Sequence, residues 1–299
     1  RPLRRRGNPL HRPKAILLRC VKEVSLSPVS GKTNVWMLLG VNGVGKTTTS
    51  AAICAGLADR GAKVLGIDLD PQGNLGFCMG LEGSNPTTIL DALQGNVKVQ
   101  QAIRRLPKAD ILPSDISLST TGLEKLAPGR REVALKEMLA PVMEYYDYMV
   151  IDTPPALNLL TVNAYAVSNF LIIPMSSDIL SLVGLSQLRE TIDSVKQGLN
   201  KNLKVLGILL NKYDKRTTLA RDVKEMAEGL AEQISTKVFQ TKIRQGVAIA
   251  EAPAHGEDIF SYNKRSPAVK DYESFIEEIA EDIHLKEVIG YGEEDDEIK

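Results

Sequence analysis

One stretch of sequence decides the fold of this chain: Gly40-Val41-Asn42-Gly43-Val44-Gly45-Lys46-Thr47. It fits the pattern G-x-x-x-x-G-K-[ST], follows the apolar run Val35–Leu39 and opens the helix-favouring run Thr47–Arg60. Glycines in such a loop let backbone N–H groups turn toward phosphate oxygens, and a helix N-terminus adds positive potential. The stretch therefore predicts a strand, a phosphate-binding loop and a helix. The alternative is a glycine-rich turn that precedes a helix by chance.

The side chains of this loop suggest individual roles. The Lys46 ammonium can bridge the β- and γ-phosphates, so we assign it a catalytic as well as a binding role. The Thr47 hydroxyl can be a ligand of Mg²⁺. The loop residues predicted to bind nucleotide are Asn42, Gly43, Val44, Gly45, Lys46, Thr47 and Thr48.

Outward from the loop, apolar strand-like runs alternate with helical patterns. The predicted strands are Val35–Leu39, Lys63–Ile67, Ala109–Leu112, Tyr148–Ile151, Phe170–Pro174, Val205–Leu210 and Lys237–Phe239. The predicted helices include Thr47–Arg60, Thr87–Leu93, Val99–Leu106, Arg130–Tyr145, Leu157–Val167, Leu182–Leu199, Leu219–Ile234 and Pro267–Ile283. Such alternation predicts an α/β fold of three layers, with a mostly parallel central sheet and helices on both faces.

Acidic residues follow two of the predicted strands. Asp68 and Asp70 follow Lys63–Ile67, and Asp152 follows Tyr148–Ile151. Ligands of open α/β sheets bind at the carboxyl ends of strands, so these carboxylates are expected near the loop. Asp152 fits a role in holding Mg²⁺, and Asp70 could orient or deprotonate an attacking water. Each aspartate alone would more often be a helix cap or a turn residue.

The chain resembles the ParA/Soj family of chromosome- and plasmid-partitioning ATPases, within the wider ParA/MinD group. The resemblance extends from about residue 35 to about residue 280 in the family's order and spacing. Its matching segments are 43–49, 68–74, 146–148, 152–155, 159–164, 184–188 and 251–256.

The resemblance implies an ATP-dependent switch. Monomers with bound ATP and Mg²⁺ would close into a homodimer that binds DNA without sequence preference, and a ParB-like centromere-binding protein would stimulate hydrolysis. By position, Asp70 would be the hydrolytic residue, while Thr47, Asp68 and Asp152 would serve the metal. The expected location is cytoplasmic and nucleoid-associated.

The loop departs from the family where Lys-Gly-Gly is usual. Val41 replaces the lysine that reaches the partner's phosphates, and Asn42 replaces a glycine. A valine cannot supply a charge-assisted hydrogen bond. An alternative hypothesis is therefore a nucleotide-binding module with little hydrolysis. The local string is also similar to the loop of signal-recognition-particle GTPases, although nothing else in the chain continues that likeness.

The run Asn211-Lys212-Tyr213-Asp214 follows the predicted strand Val205–Leu210 and bears on the choice of base. It matches N-K-x-D, in which an aspartate pairs with guanine in GTPases. Asn211 could equally accept adenine, and Lys212 and Asp214 could be turn residues. We predict that Asn211 and Asp214 bind nucleotide, and the whole-chain resemblance favours ATP over GTP.

The resemblance places a DNA-binding surface in the C-terminal third. The predicted DNA-binding residues are Arg244, Lys264, Arg265 and Lys270, with Lys242 as a further candidate. Ala248 and Pro267 stand where the family is commonly basic. Scattered cations without aromatic partners can also be an ordinary solvated face.

The charge is zero overall but unevenly distributed. Residues 1–30 carry eight basic groups against one acid, a net of +7, and residues 273–299 carry eleven acids against two lysines, a net of −9. We predict a flexible basic arm at 1–32, a ParA-like domain at 33–285 and an acidic tail at 286–299. The acidic end disfavours a MinD-like positioning ATPase, which attaches to membranes by a basic helix, so no membrane partner is expected.

Overall fold

The strands of the protein form a single parallel sheet. The computed structural model describes residues 33–40, 43–83, 87–118 and 130–290. In these ranges the strands are β1 (Asn34–Leu38), β2 (Val64–Asp68), β3 (Asp110–Leu112), β4 (Tyr148–Asp152), β5 (Phe170–Ser176) and β6 (Lys204–Asn211). Their order is β3-β2-β4-β1-β5-β6, and every neighbouring pair is parallel. The predicted parallel sheet is confirmed.

Helices cover both faces of the sheet. The α-helices of the described residues are α1 (Lys46–Asp59), α2 (Asn74–Cys78), α3 (Ile89–Leu93), α4 (Val99–Ala102), α5 (Ala134–Leu139), α6 (Leu159–Val167), α7 (Ile179–Gly198), α8 (Thr218–Gln233), α9 (Val247–Glu251), α10 (Ile259–Tyr262) and α11 (Pro267–Gly290). The core of one face joins α5, α6, α7 and α8 to the sheet, and that of the other face joins α1, α10 and α11. The predicted three layers are therefore confirmed.

Burial on both faces explains the composition of the strands. Residues 35–38 of β1, the run Val-Trp-Met-Leu, are 0% exposed and alternate between the two cores. A strand buried on both sides needs a continuous apolar run rather than an alternating one. This is why the apolar runs of the sequence predicted the strands well.

The register of the sheet brings the predicted acids together. Asp68 at the end of β2 is the direct partner of Asp152 at the end of β4, and Asp152 is also the partner of Leu38 in β1. The phosphate-loop stretch begins two residues after Leu38. The loop and both carboxylates therefore lie at one edge of the sheet.

Several predicted elements differ from the structure. The helix predicted at Arg130–Tyr145 is α5 followed by a 3₁₀ helix (Ala140–Tyr145), in which Pro141 has no N–H to continue the α-helical bonds. The strand predicted at Lys237–Phe239 is only an isolated bridge between Val238 and Ile208. These differences lie away from the phosphate loop.

Two further predictions about length also change. The predicted helix Val99–Leu106 ends at Ala102, because Arg104 bridges Ile111 across an antiparallel pair. The last helix continues past Ile283 to Gly290.

The predicted basic arm at 1–32 and the last nine residues of the predicted acidic tail lie outside the described residues, as do Val41 and Asn42 of the loop. The division into arm, domain and tail stays a prediction. Among the described helices, none is long and apolar enough to cross a membrane.

Candidate nucleotide-binding site

The loop between β1 and α1 turns through two left-handed glycines. Gly43 has φ 76° and Gly45 has φ 83°, a backbone region that side chains rarely adopt. Gly45 is the N-cap of α1, and no described side chain caps the first turn of that helix. The amide groups of the first turn are therefore available to an anion, as a phosphate-binding loop requires.

Side chains around the loop hold its carbonyl groups. Four backbone carbonyls of the loop each accept one hydrogen bond from a side chain. The bonds are Lys46 Nζ to Gly40 O at 2.9 Å, Lys212 Nζ to Gly43 O at 2.8 Å, Asn211 Nδ2 to Val44 O at 2.8 Å and Thr49 Oγ1 to Gly45 O at 2.8 Å. Carbonyls fixed in this way also fix the peptide planes, and hence the directions of the N–H groups. The loop is therefore braced from outside by residues of α1 and of the segment that follows β6.

Lys46 is buried beneath the loop. Burial lowers the pKa of its ammonium, while the nearby carboxylates of Asp152 and Asp70 act in the opposite direction. Buried lysines are rare unless a negative charge compensates them. The position of Lys46 among carbonyl and carboxylate oxygens suits a group that binds phosphate.

Asp152 is fully buried and accepts two hydroxyl hydrogen bonds. Thr47 Oγ1 donates to Oδ2 at 2.6 Å, and Ser50 Oγ donates to Oδ1 at 3.1 Å. Burial raises the pKa of Asp152 to about 6, although both hydroxyls and Lys46 lower it. Ser50 was not predicted as a site residue, and its one signal in the sequence is its place one turn after Lys46 and Thr47 on the same helix. The hydroxyl and carboxylate oxygens together are the hard donors that Mg²⁺ prefers.

Asp68 clamps the segment that carries Asp70. Its Oδ1 accepts the Asp70 N–H at 3.0 Å, and its Oδ2 accepts the Leu75 N–H at 2.9 Å. Burial and then the charge of Asp152 raise the pKa of Asp68 to about 8. Asp68 is thus a positioning residue for the Asp70 segment at the edge of the metal-binding candidates.

Asp70 itself is half-buried and has a second anchor. Its Oδ1 accepts the Gln72 N–H at 3.0 Å, and Ser114 Oγ donates to its backbone carbonyl. Ser114 was not predicted, because nothing in its local sequence marks it. The carboxylate of Asp70 lies on a short turn that is fixed at both ends. It is near enough to Lys46 for its charge to raise the pKa of the Lys46 ammonium.

The predicted base-binding residues lie at the end of β6, where Asn211 is the last residue, and just after it, where Asp214 stands. Asn211 is 3% exposed, and its Nδ2 also donates to Thr49 Oγ1 at 3.1 Å, so the structure gives it a bracing contact with the loop. Its Oδ1 is buried and has no hydrogen-bond partner among the described residues. Asp214 is held by the Arg216 guanidinium at 2.8 and 2.9 Å, which lowers its pKa to about 2. Asp214 and Lys212 line a hollow of about 550 Å³ beside the loop.

The predicted DNA-binding cations do not all line one hollow. Arg244 and Arg265 line a hollow of about 680 Å³, where Arg244 is paired with Asp271 at 2.7 and 2.8 Å. Lys264 lines a different hollow that contains Glu273 and Glu277. Lys270 is exposed on the first turn of α11.

Comparison with known proteins identifies the family. A family model described as an AAA domain matches residues 40–205. A chromosome partitioning protein ParA from Myxococcus xanthus is 38% identical over 233 residues, which are 77% of this chain and 81% of that protein. A chromosome-partitioning ATPase Soj from Treponema pallidum is 37% identical over 239 residues, which are 79% of this chain and 92% of that protein. The chain belongs to the ParA/Soj family of chromosome-partitioning ATPases.

A solved structure agrees with the ParA/Soj assignment at the level of the fold. A cobyrinic acid a,c-diamide synthase from Mycobacterium smegmatis, solved with bound ADP and magnesium, superposes with a TM-score of 0.69 at 33% identity. The match covers 82% of this chain and 93% of that one. The resemblance predicted from the sequence is confirmed. The role of each site residue stays a prediction.

Proposed function

We propose that the protein is a ParA-type ATPase that partitions chromosome or plasmid DNA. ATP-dependent dimerisation, non-specific DNA binding and hydrolysis stimulated by a ParB-like partner make up the proposed cycle. The observation that carries the proposal is the bond from Thr47 to Asp152 below the braced loop, with the clamped Asp70 at the same edge of the sheet. Names of the relatives, which include an ATPase, support the same choice.

The site fits Mg²⁺ and a nucleoside triphosphate. Thr47 and Asp152 would hold the metal, and Asp68 would support it by its place beside Asp152. When bound, Mg²⁺ neutralises charge on the β- and γ-phosphate oxygens. Lys46 would bind the same phosphates, while the loop amides would orient them. Asp70 would hold the attacking water and take up its proton, and the clamp by Asp68 would fix its direction.

ATP is the favoured nucleotide. Both oxygens of the Asp214 carboxylate already accept hydrogen bonds from the Arg216 guanidinium, from Nε and Nη2, and pairing with a guanine edge would require that ion pair to open. The free Oδ1 of Asn211 can accept a hydrogen bond from the amino group of adenine, although it lies deep beside the loop. The occupied Asp214 carboxylate is the observation that supports ATP over GTP.

Slow hydrolysis without a partner is part of the proposal. Val41 stands where the family has the lysine that acts across the dimer, so the partner's phosphates would lack one charge-assisted bond. The same residue supports a second candidate function, a nucleotide-binding module with little turnover. Dimerisation and DNA binding are common to both candidates, and the hydrolysis rate separates them.

One experiment tests the proposal. ATP and GTP hydrolysis are measured with and without duplex DNA for the native protein, Asp70→Ala and Val41→Lys. ATPase activity that Asp70→Ala abolishes, with nucleotide binding retained, supports the enzyme. Absence of turnover in the native protein, with turnover in Val41→Lys, would instead establish the binding module. GTP turnover faster than ATP turnover would contradict the choice of nucleotide.

A further inference from the structure

A buried hydrogen-bond junction joins the phosphate loop to the last helix. Thr49 Oγ1 donates to Gly45 O at 2.8 Å, accepts from Asn211 Nδ2 at 3.1 Å and lies 3.2 Å from Tyr272 Oη. A threonine hydroxyl has one proton, and here Gly45 O takes it, so the Tyr272 hydroxyl donates to Thr49. Thr49, Asn211 and Tyr272 are 0%, 3% and 2% exposed. Water therefore does not compete for these bonds.

The contact between α1 and α11 continues away from the junction. A Cβ atom added at Gly56 would lie 2.1 Å from Ile276 Cδ1, so the two helices approach as closely as a glycine allows. At the far end of α1, Arg60 pairs with Glu277 at 3.4 Å. Because these contacts follow one helix face, a shift at the loop end of α1 cannot be absorbed without moving α11.

Two predicted DNA-binding residues are tied to the part of α11 that carries Tyr272: Lys270 lies on it, and Arg244 is bound to Asp271. Asp271 accepts a hydrogen bond from the Arg244 backbone N–H at 3.0 Å and two more from the Arg244 guanidinium. It therefore holds both the backbone and the side chain of Arg244. Lys270 precedes Asp271 and is exposed. The position of α11 thus sets where two of the four predicted DNA-binding cations lie.

We propose that Tyr272 is a positioning residue that couples nucleotide binding at the loop to the position of α11. Phosphates that engage the loop amides fix the Gly45 peptide, Thr49 follows through its bond to Gly45 O, and Tyr272 follows through its bond to Thr49. Nucleotide binding then holds Lys270 and the Asp271–Arg244 pair in one arrangement. The link from α11 to DNA binding rests on the proposed function. The coupling between nucleotide and α11 does not, because it can be observed with nucleotide alone and without DNA.

The test compares two variants that each lose one buried tyrosine hydroxyl. Tyr272→Phe removes the donor of the junction, whereas Tyr165→Phe removes a hydroxyl that has no hydrogen-bond partner among the described residues and lies in the opposite core. Amide hydrogen exchange of residues 267–280 is measured with and without Mg²⁺ and a non-hydrolysable ATP analogue. In the native protein and in Tyr165→Phe, the analogue should slow exchange of α11. In Tyr272→Phe the slowing should be smaller by about fivefold, the factor that one neutral hydrogen bond provides.

The ratio of exchange rates with and without the analogue is the readout, because a general loss of stability would change both rates alike. Thr49→Ser keeps the hydroxyl that accepts the Tyr272 hydrogen bond and should keep the native ratio. An equal ratio in Tyr272→Phe and the native protein, or no effect of the analogue on native α11, would overturn the coupling. DNA retention is measured separately, so a protein whose α11 responds to nucleotide but does not bind DNA would refute the proposed function and leave the coupling intact.

Discussion

The two left-handed glycines of the phosphate loop provide a matched pair of substitutions. Gly43 and Gly45 have nearly the same φ, 76° and 83°. A Cβ atom at Gly43 would meet no atom of the described residues within 4 Å, whereas one at Gly45 would lie 3.1 Å from Asn211 Nδ2. Gly43→Ala therefore introduces backbone strain alone. Gly45→Ala introduces the same strain and also displaces the side chain that braces Val44 O.

The expected magnitudes follow from these contacts. Left-handed backbone costs an alanine about 1–2 kcal/mol, and the smaller entropy of the unfolded alanine chain offsets about 0.4–1 kcal/mol of this in both variants. Displacement of Asn211 weakens its buried bond to Val44 O, which contributes about 1 kcal/mol. We therefore expect Gly43→Ala to lower the free energy of unfolding by about 1 kcal/mol and Gly45→Ala by about 2 kcal/mol.

Equilibrium urea unfolding without nucleotide measures both costs, so that phosphate binding does not enter. The same two substitutions are then made in an Asn211→Ala background, where the extra cost of Gly45→Ala should vanish because its cause has been removed. Equal costs of the two alanines in the native background would refute the bracing role of Asn211. A difference that survives in the Asn211→Ala background would assign it to some other neighbour.

Three further predictions concern other parts of the molecule. The pKa of Asp68 is raised to about 8 from an ordinary 3.8, so the native state keeps a proton that the unfolded chain loses. The contribution of Asp68 to the free energy of unfolding without nucleotide should therefore be fully present below about pH 4 and fall as the pH rises toward 8. Asp68→Asn should flatten the upper part of this fall in urea midpoints measured across that range, and an unchanged profile would contradict the assignment. Gly56→Ala should cost about 1–3 kcal/mol by overpacking against Ile276, and Ile276→Val should relieve this cost. Gly229→Ala in α8, where a Cβ meets no described atom within 4 Å, should instead stabilise the fold by up to about 1 kcal/mol. Under the proposed function, the double variant Arg265→Ala, Lys270→Ala should weaken retention on any DNA duplex. It should also make the slope of log K against log salt concentration shallower by about 2, and Lys201→Ala, at an exposed lysine, is the control. Native retention in the double variant would exclude both residues from the DNA surface.

The sequence predicted the sheet well because burial on both faces leaves a simple signal. Strands such as β1 and β4 are continuous apolar runs, and the loop after β1 has a pattern that few other structures need. The strand predicted at Lys237–Phe239 was wrong, because a short apolar run does not show whether a neighbouring strand accepts its hydrogen bonds along its full length. The helix α2 was missed because five residues carry too little periodicity.

The site was predictable where its residues belong to a motif, and hidden where they meet only through the fold. Lys46, Thr47 and the three aspartates were found from local patterns at strand ends. Ser50 meets Asp152 across 102 residues of sequence, and Ser114 meets Asp70 across 44. The junction of Thr49 with Tyr272 joins positions 223 residues apart. No spacing in one sequence marks such contacts, since they depend on how the helices pack on the sheet.

The arrangement of cations limits how a single chain could bind DNA. Residues 31–272 carry 27 basic and 25 acidic groups, a net charge of +2. The net charge of this part of the chain therefore gives little long-range attraction for a polyanion such as DNA. Of the four predicted DNA-binding residues, Arg244 is neutralised by Asp271, and Lys264 shares its hollow with two glutamates. Lys264, Arg265 and Lys270 are exposed, and among the described residues no ion pair is found for any of these three cations. So few phosphate contacts give weak binding with a shallow salt dependence, and under the proposed function a homodimer would double their number. Under the proposed function, retention on DNA therefore depends on the second copy, and the nucleotide controls DNA binding by controlling dimerisation.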